Sequence, residues 1–192
     1  LPSAAAAAAA AAPAPPPHGP TPREYVTQAP SPALDALVTE WLSTLFYYQE
    51  RLRAQSKAKA AMRKRLLFGL REVDRSMRAG KVLCLVVSPN IEPGTARGGL
   101  DDRVGAILAR AEENEVPVVF ALSRRRLGRA LGKSTRVSLV GVLSYDGSNL
   151  HRQVMAAAKE AAAAWRAQQH ALAAGEGEGE SKGEEGGGGD GA

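Results

Sequence analysis

Several residue types that carry chemistry in proteins are scarce in this chain of 192 residues. The sequence contains one cysteine and three histidines, and aromatic residues make up 5% of it. A single cysteine excludes an internal disulfide and any zinc site that needs several cysteines, and it fits a reducing compartment. No apolar run reaches the length of a membrane-spanning helix, so we expect no membrane partner.

The sequence also lacks the usual signs of catalysis. No serine or cysteine has a histidine partner in a strand-turn-helix context, and no pair of carboxylates or metal-ligand spacing stands out. Gly128 and Gly132 precede Lys133-Ser134-Thr135 as in a phosphate-binding Walker loop, but three residues separate the glycines where that loop needs four. We therefore predict a protein that is not an enzyme and that has no cofactor and no metal.

Charge is unevenly distributed along the chain. Residues 23–166 contain 24 Lys and Arg against 14 Asp and Glu, a balance of +10, whereas residues 167–192 contain one Lys and six acidic residues. Residues 51–71 hold eight cations and no acid. Because like charges four apart on a helix repel, this run favours a phosphate-contacting surface over a solvated helix face. The members of the run predicted to contact RNA are Arg63, Lys64 and Arg65.

Composition divides the chain into three parts. Residues 1–32 are rich in Ala and Pro and are expected to form a disordered linker, and their Ala run lacks the charged lead of a signal peptide. Residues 33–170 are expected to fold as one domain with a basic helical extension at 33–65. Residues 171–192 are rich in Gly and Glu and are expected to form a disordered acidic tail. Because the chain begins at Leu1 rather than Met, we expect a fragment or a processed form.

Hydrophobic patterning within the domain alternates between strands and helices. Apolar residues at helical spacing follow Ala33, and apolar runs at 82–87 and 116–122 are typical of buried strands. A further strand is predicted at 137–144. Helical patterns lie between these runs, and the last helix begins near Leu150. This alternation predicts a layered α/β/α domain.

One stretch, Leu66–Arg75, has the composition of a ligand site. Gly69 ends a short apolar strand and opens a helix whose first free amides favour anionic groups such as phosphate. Arg71 and Arg75 share a helix face, and Glu72 beside them is suited to accept from the Watson–Crick edge of an exposed guanine. An ordinary surface helix with a Glu–Arg pair fits the same pattern.

Cations recur at other loop and helix ends, which are Arg124–Arg126, Arg129, Lys133 and Arg136. With few aromatic residues to stack on bases, this distribution favours recognition of a structured RNA by its shape, with a few base contacts. Arg124 therefore joins the predicted RNA-binding residues.

Together these motifs resemble a known family. Gly69-Leu-Arg-Glu-Val73 followed by Arg75 resembles the helix-opening signature of the kink-turn RNA-binding ribosomal proteins, and residues 116–128 resemble their later strand-helix block. The resemblance is closer to the subfamily that binds the selenocysteine insertion sequence (SECIS) of selenoprotein messengers. The features of that subfamily occur here at Tyr25–Gln28, Leu34–Glu40, Gln49–Arg51, Cys84, Ser88–Asn90 and Gly98–Asp101.

The resemblance implies a three-layer α/β/α sandwich with a four-stranded mixed sheet and an N-terminal helical extension. It also implies recognition of the G·A core of a kinked RNA. Arg71 stands where the general family has asparagine, as in the SECIS subfamily. By resemblance, the residues that would face the G·A pairs and adjoining phosphates are Gly69, Leu70, Arg71, Glu72 and Arg75. Those that would cover the bulged nucleotide lie in the loop Lys133–Val137, with Thr135, Arg136 and Val137.

The partners implied by the resemblance are the SECIS RNA, the ribosome and the selenocysteine-specific elongation factor, in recoding of UGA as selenocysteine. The expected localisation is cytoplasmic, with a nuclear pool also allowed. Two other interpretations stay open. One is a ribosomal or small-nucleolar kink-turn protein, whose minimal fold does not need the upstream basic helix. The other is a protein–protein adaptor on the same fold, which the charge of +10 on residues 23–166 opposes.

Overall fold

A computed structural model of the protein describes residues 23–92 and 99–176. The helices found there are α1 (Pro32–Gln55), α2 (Lys57–Met62), α3 (Leu70–Arg78), α4 (Leu100–Glu113), α5 (Arg124–Ala130) and α6 (Leu150–Glu176). The strands are β1 (Leu66–Phe68), β2 (Cys84–Val87), β3 (Val118–Phe120) and β4 (Leu139–Val142).

The four strands form one mixed sheet in the order β1-β4-β2-β3. Strands β1 and β2 both lie antiparallel to β4, which places Phe68 opposite Val140 and Val87 opposite Leu139. Strands β2 and β3 are parallel. The predicted α/β class and four-stranded mixed sheet are confirmed.

Helices cover both faces of this sheet. Cys84 and Val86 face a core that they share with α1, α5 and α6, whereas their neighbours Leu85 and Val87 face a core shared with α3 and α4. All four residues of β2 are buried, as expected for a strand packed between two helical layers. The domain is therefore the three-layer sandwich that the sequence predicted.

The N-terminal helical extension is also present. Helix α1 begins after Ser31, whose hydroxyl accepts the Leu34 amide at 3.2 Å, and Pro32 occupies its first turn. The helix ends at Ser56, where the backbone is extended and the side chain caps α2 by accepting from Lys59. The extension is thus two helices divided at a serine.

Residues 23–31 belong to the domain, so the predicted linker boundary at 32 is wrong. Val26 is buried in the core on the α3–α4 side. The Gln28 amide donates to the Val118 carbonyl, and its oxygen accepts from the Phe120 amide, both at 2.8 Å. Gln28 therefore satisfies backbone groups at the open edge of β3, which local composition could not reveal.

The C-terminal boundary predicted at 170 is also wrong, because α6 continues to Glu176. Alanine is the strongest helix former, and three of the four residues at 171–174 are alanines. The predictions of disorder for 1–22 and for 177–192 lie outside the described residues.

The third and fourth strands are shorter than predicted. Strand β3 starts after Pro117, which has no amide to donate, and ends before Leu122, whose φ of +62° leaves the strand region. Strand β4 spans Leu139–Val142 within the predicted 137–144.

Candidate nucleic-acid interface

The junction between β1 and α3 has the geometry that the sequence predicted. Gly69 has φ +92° and ψ 139°, a conformation that side-chain-bearing residues rarely adopt. It has no side chain to cap the helix, and its carbonyl accepts the Val73 amide at 3.0 Å. No atom lies within 4 Å of the place where a Cβ would stand, so the backbone is open to a ligand.

The charged residues of the first turns of α3 face solvent. Arg71, Glu72 and Arg75 are all exposed, and no ion pair or hydrogen bond engages their side chains within the described residues. The neighbouring acid, Asp74, instead pairs with Arg78 at 2.8 Å and with Arg110 of α4. The carboxylate of Glu72 is therefore available to a donor from outside the protein.

Leu70 and Arg71 also border a groove between α3 and α4. The cavity there has a volume of about 420 Å³, and Leu70 is half-buried in it against the core. Its side chain supports the helix start, whereas Arg71 stands at the rim.

The loop before β4 reaches the same end of the sheet. The Lys133 ammonium lies 4.7 Å from the centroid of the Phe68 ring, next to Gly69. Its amide donates to the Gly128 carbonyl at 2.9 Å. A Cβ at Gly128 would stand 2.2 Å from the Thr135 carbonyl oxygen, so this position allows only glycine in the present arrangement. Gly128, the first glycine of the apparent Walker pattern, therefore has a packing role.

The predicted residues beyond Lys133 divide into exposed and structural ones. Thr135 and Arg136 are exposed, although Arg136 pairs with Glu92 at 3.0 Å. Arg124 pairs with the same carboxylate at 3.2 Å, and its side chain is only 16% exposed. Val137 is buried, and its amide donates to the Arg124 carbonyl. Arg124 and Val137 therefore contribute to the structure of the loop, and their contacts with RNA stay a prediction.

Sequence reasoning missed the polar residues that connect this loop to the sheet. The Ser88 hydroxyl lies 2.8 Å from the Leu122 carbonyl and 2.7 Å from Asn90 Oδ1. Asn90 Oδ1 also accepts the Arg124 amide at 2.9 Å. The available signal was the position of Ser88 and Asn90 directly after a buried strand, where polar side chains meet neighbouring loops.

The cations of 63–65 lie apart from the α3 start. Arg65 precedes β1, and its carbonyl accepts the Leu143 amide at 2.7 Å, beyond the last residue of β4. Gly69 follows β1 at the other end, so the three residues of β1 separate the two groups, and Arg65 lies about 13 Å from Gly69 along the strand. The predicted RNA-binding residues at 63–65 and at 69–75 therefore lie on two surfaces at opposite ends of β1.

Cys84 is part of the core that β2 shares with α1, α5 and α6. Its side chain is fully buried, and burial raises the pKa of the thiol from 9.0 to about 12. In the described ranges, 23–92 and 99–176, three His, Cys, Asp or Glu side chains never gather as a metal site would need. No helix of the described chain has the length and apolar character needed to cross a bilayer.

Comparison with known proteins identifies the family. The sequence profile of the ribosomal protein L7Ae/L30e/S12e/Gadd45 family matches residues 53–151, more than half of the chain. The chain belongs to this family. The family match covers β1, the exposed start of α3 and the loop before β4, so the surface described above lies within it.

Within the family, the resemblance to SECIS-binding proteins is confirmed. The chain is 42% identical over 134 residues to selenocysteine insertion sequence-binding protein 2 of Rattus norvegicus, covering 69% of this chain and 16% of that protein. It is 39% identical over 145 residues to selenocysteine insertion sequence-binding protein 2-like of Homo sapiens, covering 75% of this chain and 13% of the relative. The chain thus spans less than a fifth of the length of these relatives.

Solved structures agree with the family fold. The 15.5 kD RNA binding protein of Giardia lamblia superposes with a TM-score of 0.51 at 17% identity, covering 70% of this chain and 92% of that structure. At this identity the match supports the fold alone. It is consistent with the mixed sheet and its two helical layers.

Proposed function

We propose that residues 23–176 form an RNA-binding domain that recognises the SECIS stem-loop of selenoprotein messengers at its kinked G·A core. The observation that carries the proposal is the exposed Glu72 carboxylate, free of internal ion pairs in the described chain and flanked by Arg71 and Arg75. A carboxylate surrounded by arginines is suited to a folded RNA, because the arginines can contact phosphates while the carboxylate accepts hydrogen bonds from the edge of a guanine.

The backbone at Gly69 adds to this proposal. Its positive φ turns the chain sharply into α3, and the absence of a side chain leaves space for a ligand to approach the first helical amides. Lys133, held over the Phe68 ring, supplies a second cation beside the same turn. These groups come from two chain segments, as expected for a site that reads a folded shape.

The likeness to two SECIS-binding proteins supports this RNA over other kinked RNAs. The principal alternative is a ribosomal or small-nucleolar kink-turn protein of the same family. The 24-residue α1 and the basic segment after it favour the SECIS interpretation, because the minimal fold does not need them. An adaptor that has lost RNA binding would have no use for an exposed carboxylate set among unpaired arginines.

The wider role is proposed on the same basis. As a binding module without its own catalysis, the domain would support insertion of selenocysteine at UGA codons, on the ribosome and with the selenocysteine-specific elongation factor, in the cytoplasm with a nuclear pool. These partners follow from the likeness to proteins that are several times longer.

A binding experiment with three RNAs tests the proposal. The affinities of the chain for a SECIS stem-loop, a plain kink-turn RNA and a regular duplex are measured by gel shift at one stated salt concentration, because phosphate contacts depend steeply on salt. We expect the SECIS RNA to bind most tightly and the duplex most weakly. Equal affinity for the first two RNAs would favour the general kink-turn alternative, and no preference among the three would contradict base recognition.

A pair of matched variants sharpens this experiment. Glu72→Ala is expected to lose about 1–3 kcal/mol of binding to the SECIS RNA and little to the duplex. Glu160→Ala removes an equally exposed carboxylate from α6, which packs on the opposite face of the sheet, and should change neither. Equal loss on both RNAs for Glu72→Ala would show that the carboxylate does not read bases.

A further inference from the structure

The end of β1 that points away from Gly69 carries two adjoining cavities. One has a volume of about 570 Å³ and is bordered by four cations and one acid, with Met62, Leu143 and Ser144 completing the lining. The charged residues are Arg63, Lys64, Arg65, Lys81 and Asp146. The other, about 360 Å³, is bordered by Tyr48, Arg51, Arg63 and Arg65. Arg63 and Arg65 border both cavities, so the two form one continuous concave surface.

This surface is rich in cations that form no ion pair within the described residues. Arg51, Arg63 and Lys81 are exposed, and they come from α1, from the segment before β1 and from the segment before β2. Across 23–92 and 99–176, no ion pair involves any of the five cations that border the cavities. Several arginines elsewhere form an ion pair, such as Arg23 with Asp101 at 2.7 Å and Arg126 with Asp35 at 2.6 Å.

The central cation of the surface, Arg65, is held in a fixed position. Its amide donates to Gln49 Oε1 at 2.9 Å, and its guanidinium lies 5.7 Å from the centre of the Tyr48 ring. Its Nε donates to the Asp146 carbonyl oxygen at 3.1 Å. Tyr48 in turn packs on Gly147, where a Cβ would lie 3.1 Å from the ring. A cation positioned in this way loses little freedom when it binds a phosphate.

We propose that Arg51, Arg63, Lys64, Arg65 and Lys81 form a second RNA-binding surface, which holds the phosphate backbone of a helical stem beyond the kinked core. This inference rests on the proposed function, and it assigns Arg51 and Lys81 to RNA binding. The surface is suited to phosphates rather than bases, because five cations outnumber its one acid, Asp146, and its one aromatic ring is covered by Arg65 and Gly147. About 13 Å of strand separates it from Gly69, so a single folded RNA can span both surfaces.

A stem-length series tests the second surface. The affinities of the wild-type chain and of the double variant Arg51→Gln/Lys81→Gln are measured for a SECIS RNA with its full stem and for one trimmed to the kinked core. We expect the double variant to bind the long-stem RNA roughly tenfold more weakly and the trimmed RNA as the wild type does. The slope of log affinity against log salt should flatten on the long-stem RNA by about one for each contact removed.

The matched control is Arg152→Gln/Lys159→Gln, which removes two exposed cations from α6 and should bind both RNAs like the wild type. Circular dichroism establishes that both double variants are folded. Equal loss of affinity on long and trimmed RNA, or no loss on either, would overturn the proposal. Tighter binding of a Glu-rich peptide than of a free duplex would also overturn it, since the surface would then serve an acidic protein.

Failure of the proposed function would give a different pattern of affinities. If the wild type did not prefer the SECIS RNA but the double variant still lost affinity for long plain duplexes and not for short ones, the second surface would stand while core recognition fell. If the wild type preferred the SECIS RNA but its affinity did not depend on stem length, recognition of the core would stand and the second surface would fall.

Discussion

A single buried carboxylate connects α1 to the start of α5. Asp35 is 1% exposed. Its Oδ1 accepts the Leu122 amide at 2.8 Å, and its Oδ2 accepts from Arg126 at 2.6 Å. Leu122 has a φ of +62°, which costs energy in a residue that carries a branched side chain. The Asp35 carboxylate therefore stabilises a strained turn and the helix that follows it.

Replacement of Asp35 by alanine should be strongly destabilising. It leaves the Leu122 amide buried without its acceptor, which costs about 1–3 kcal/mol, and it breaks a buried ion pair, which costs about 3–5 kcal/mol where both partners are dry. Since the Arg126 side chain is 42% exposed, water compensates part of the second loss. We expect the free energy of unfolding to fall by about 3 kcal/mol. Asp35→Asn keeps the size and one acceptor, so it should cost about half as much.

Urea unfolding followed by circular dichroism measures these changes at pH 7. A double-mutant cycle with Arg126→Ala separates the ion pair from the Leu122 hydrogen bond, because Arg126→Ala leaves the acceptor of the amide in place. A loss below about 1 kcal/mol for Asp35→Ala, with an unchanged m-value, would refute the idea that this carboxylate holds the turn.

Three further predictions concern other parts of the molecule. Gly128→Ala should cost about 1–3 kcal/mol in thermal unfolding, because its Cβ would meet the Thr135 carbonyl, whereas Gly105→Ala, with open space in α4, should stabilise slightly. The pKa of Cys84 is raised to about 12, so the contribution of the neutral thiol to stability is complete below pH 9 and is lost as the pH rises towards 12. Cys84→Ala should therefore remove part of the alkaline destabilisation seen by calorimetry. An unchanged dependence of stability on pH would contradict this. Arg63→Ala should weaken specific and nonspecific RNA alike and flatten the salt slope by about one, and a loss confined to the specific RNA in gel shifts would count against a phosphate contact.

Local sequence was sufficient where the chain changes direction at a glycine. Gly69 has a positive φ and stands at the boundary between strand and helix that the sequence predicted. Apolar runs identified the buried strands for the same reason, since a strand covered on both faces has no polar alternation. The type and order of the elements were therefore predictable, as was the exposed first turn of α3.

Contacts between distant segments were not predictable in this way. Gln28 completes the edge of β3 across 90 residues, although its neighbours have the composition of a linker. Nothing in the local sequence distinguishes Asp35 from a surface residue of α1, yet its partners lie 87 and 91 residues away. Arg65 and Arg71 are close in sequence, but a three-residue strand between them places them at opposite ends of the sheet.

The central claim is that the carboxylate of Glu72 recognises a guanine edge in the kinked core, and a thermodynamic cycle between protein and RNA tests it most directly. Affinities are measured for wild type and Glu72→Gln, each with the SECIS RNA and with a version in which inosine replaces the core guanine, so that the exocyclic amine is absent. The account predicts that the two changes together cost clearly less than the sum of their separate costs, with a coupling of about 1 kcal/mol or more. Strictly additive losses would contradict it.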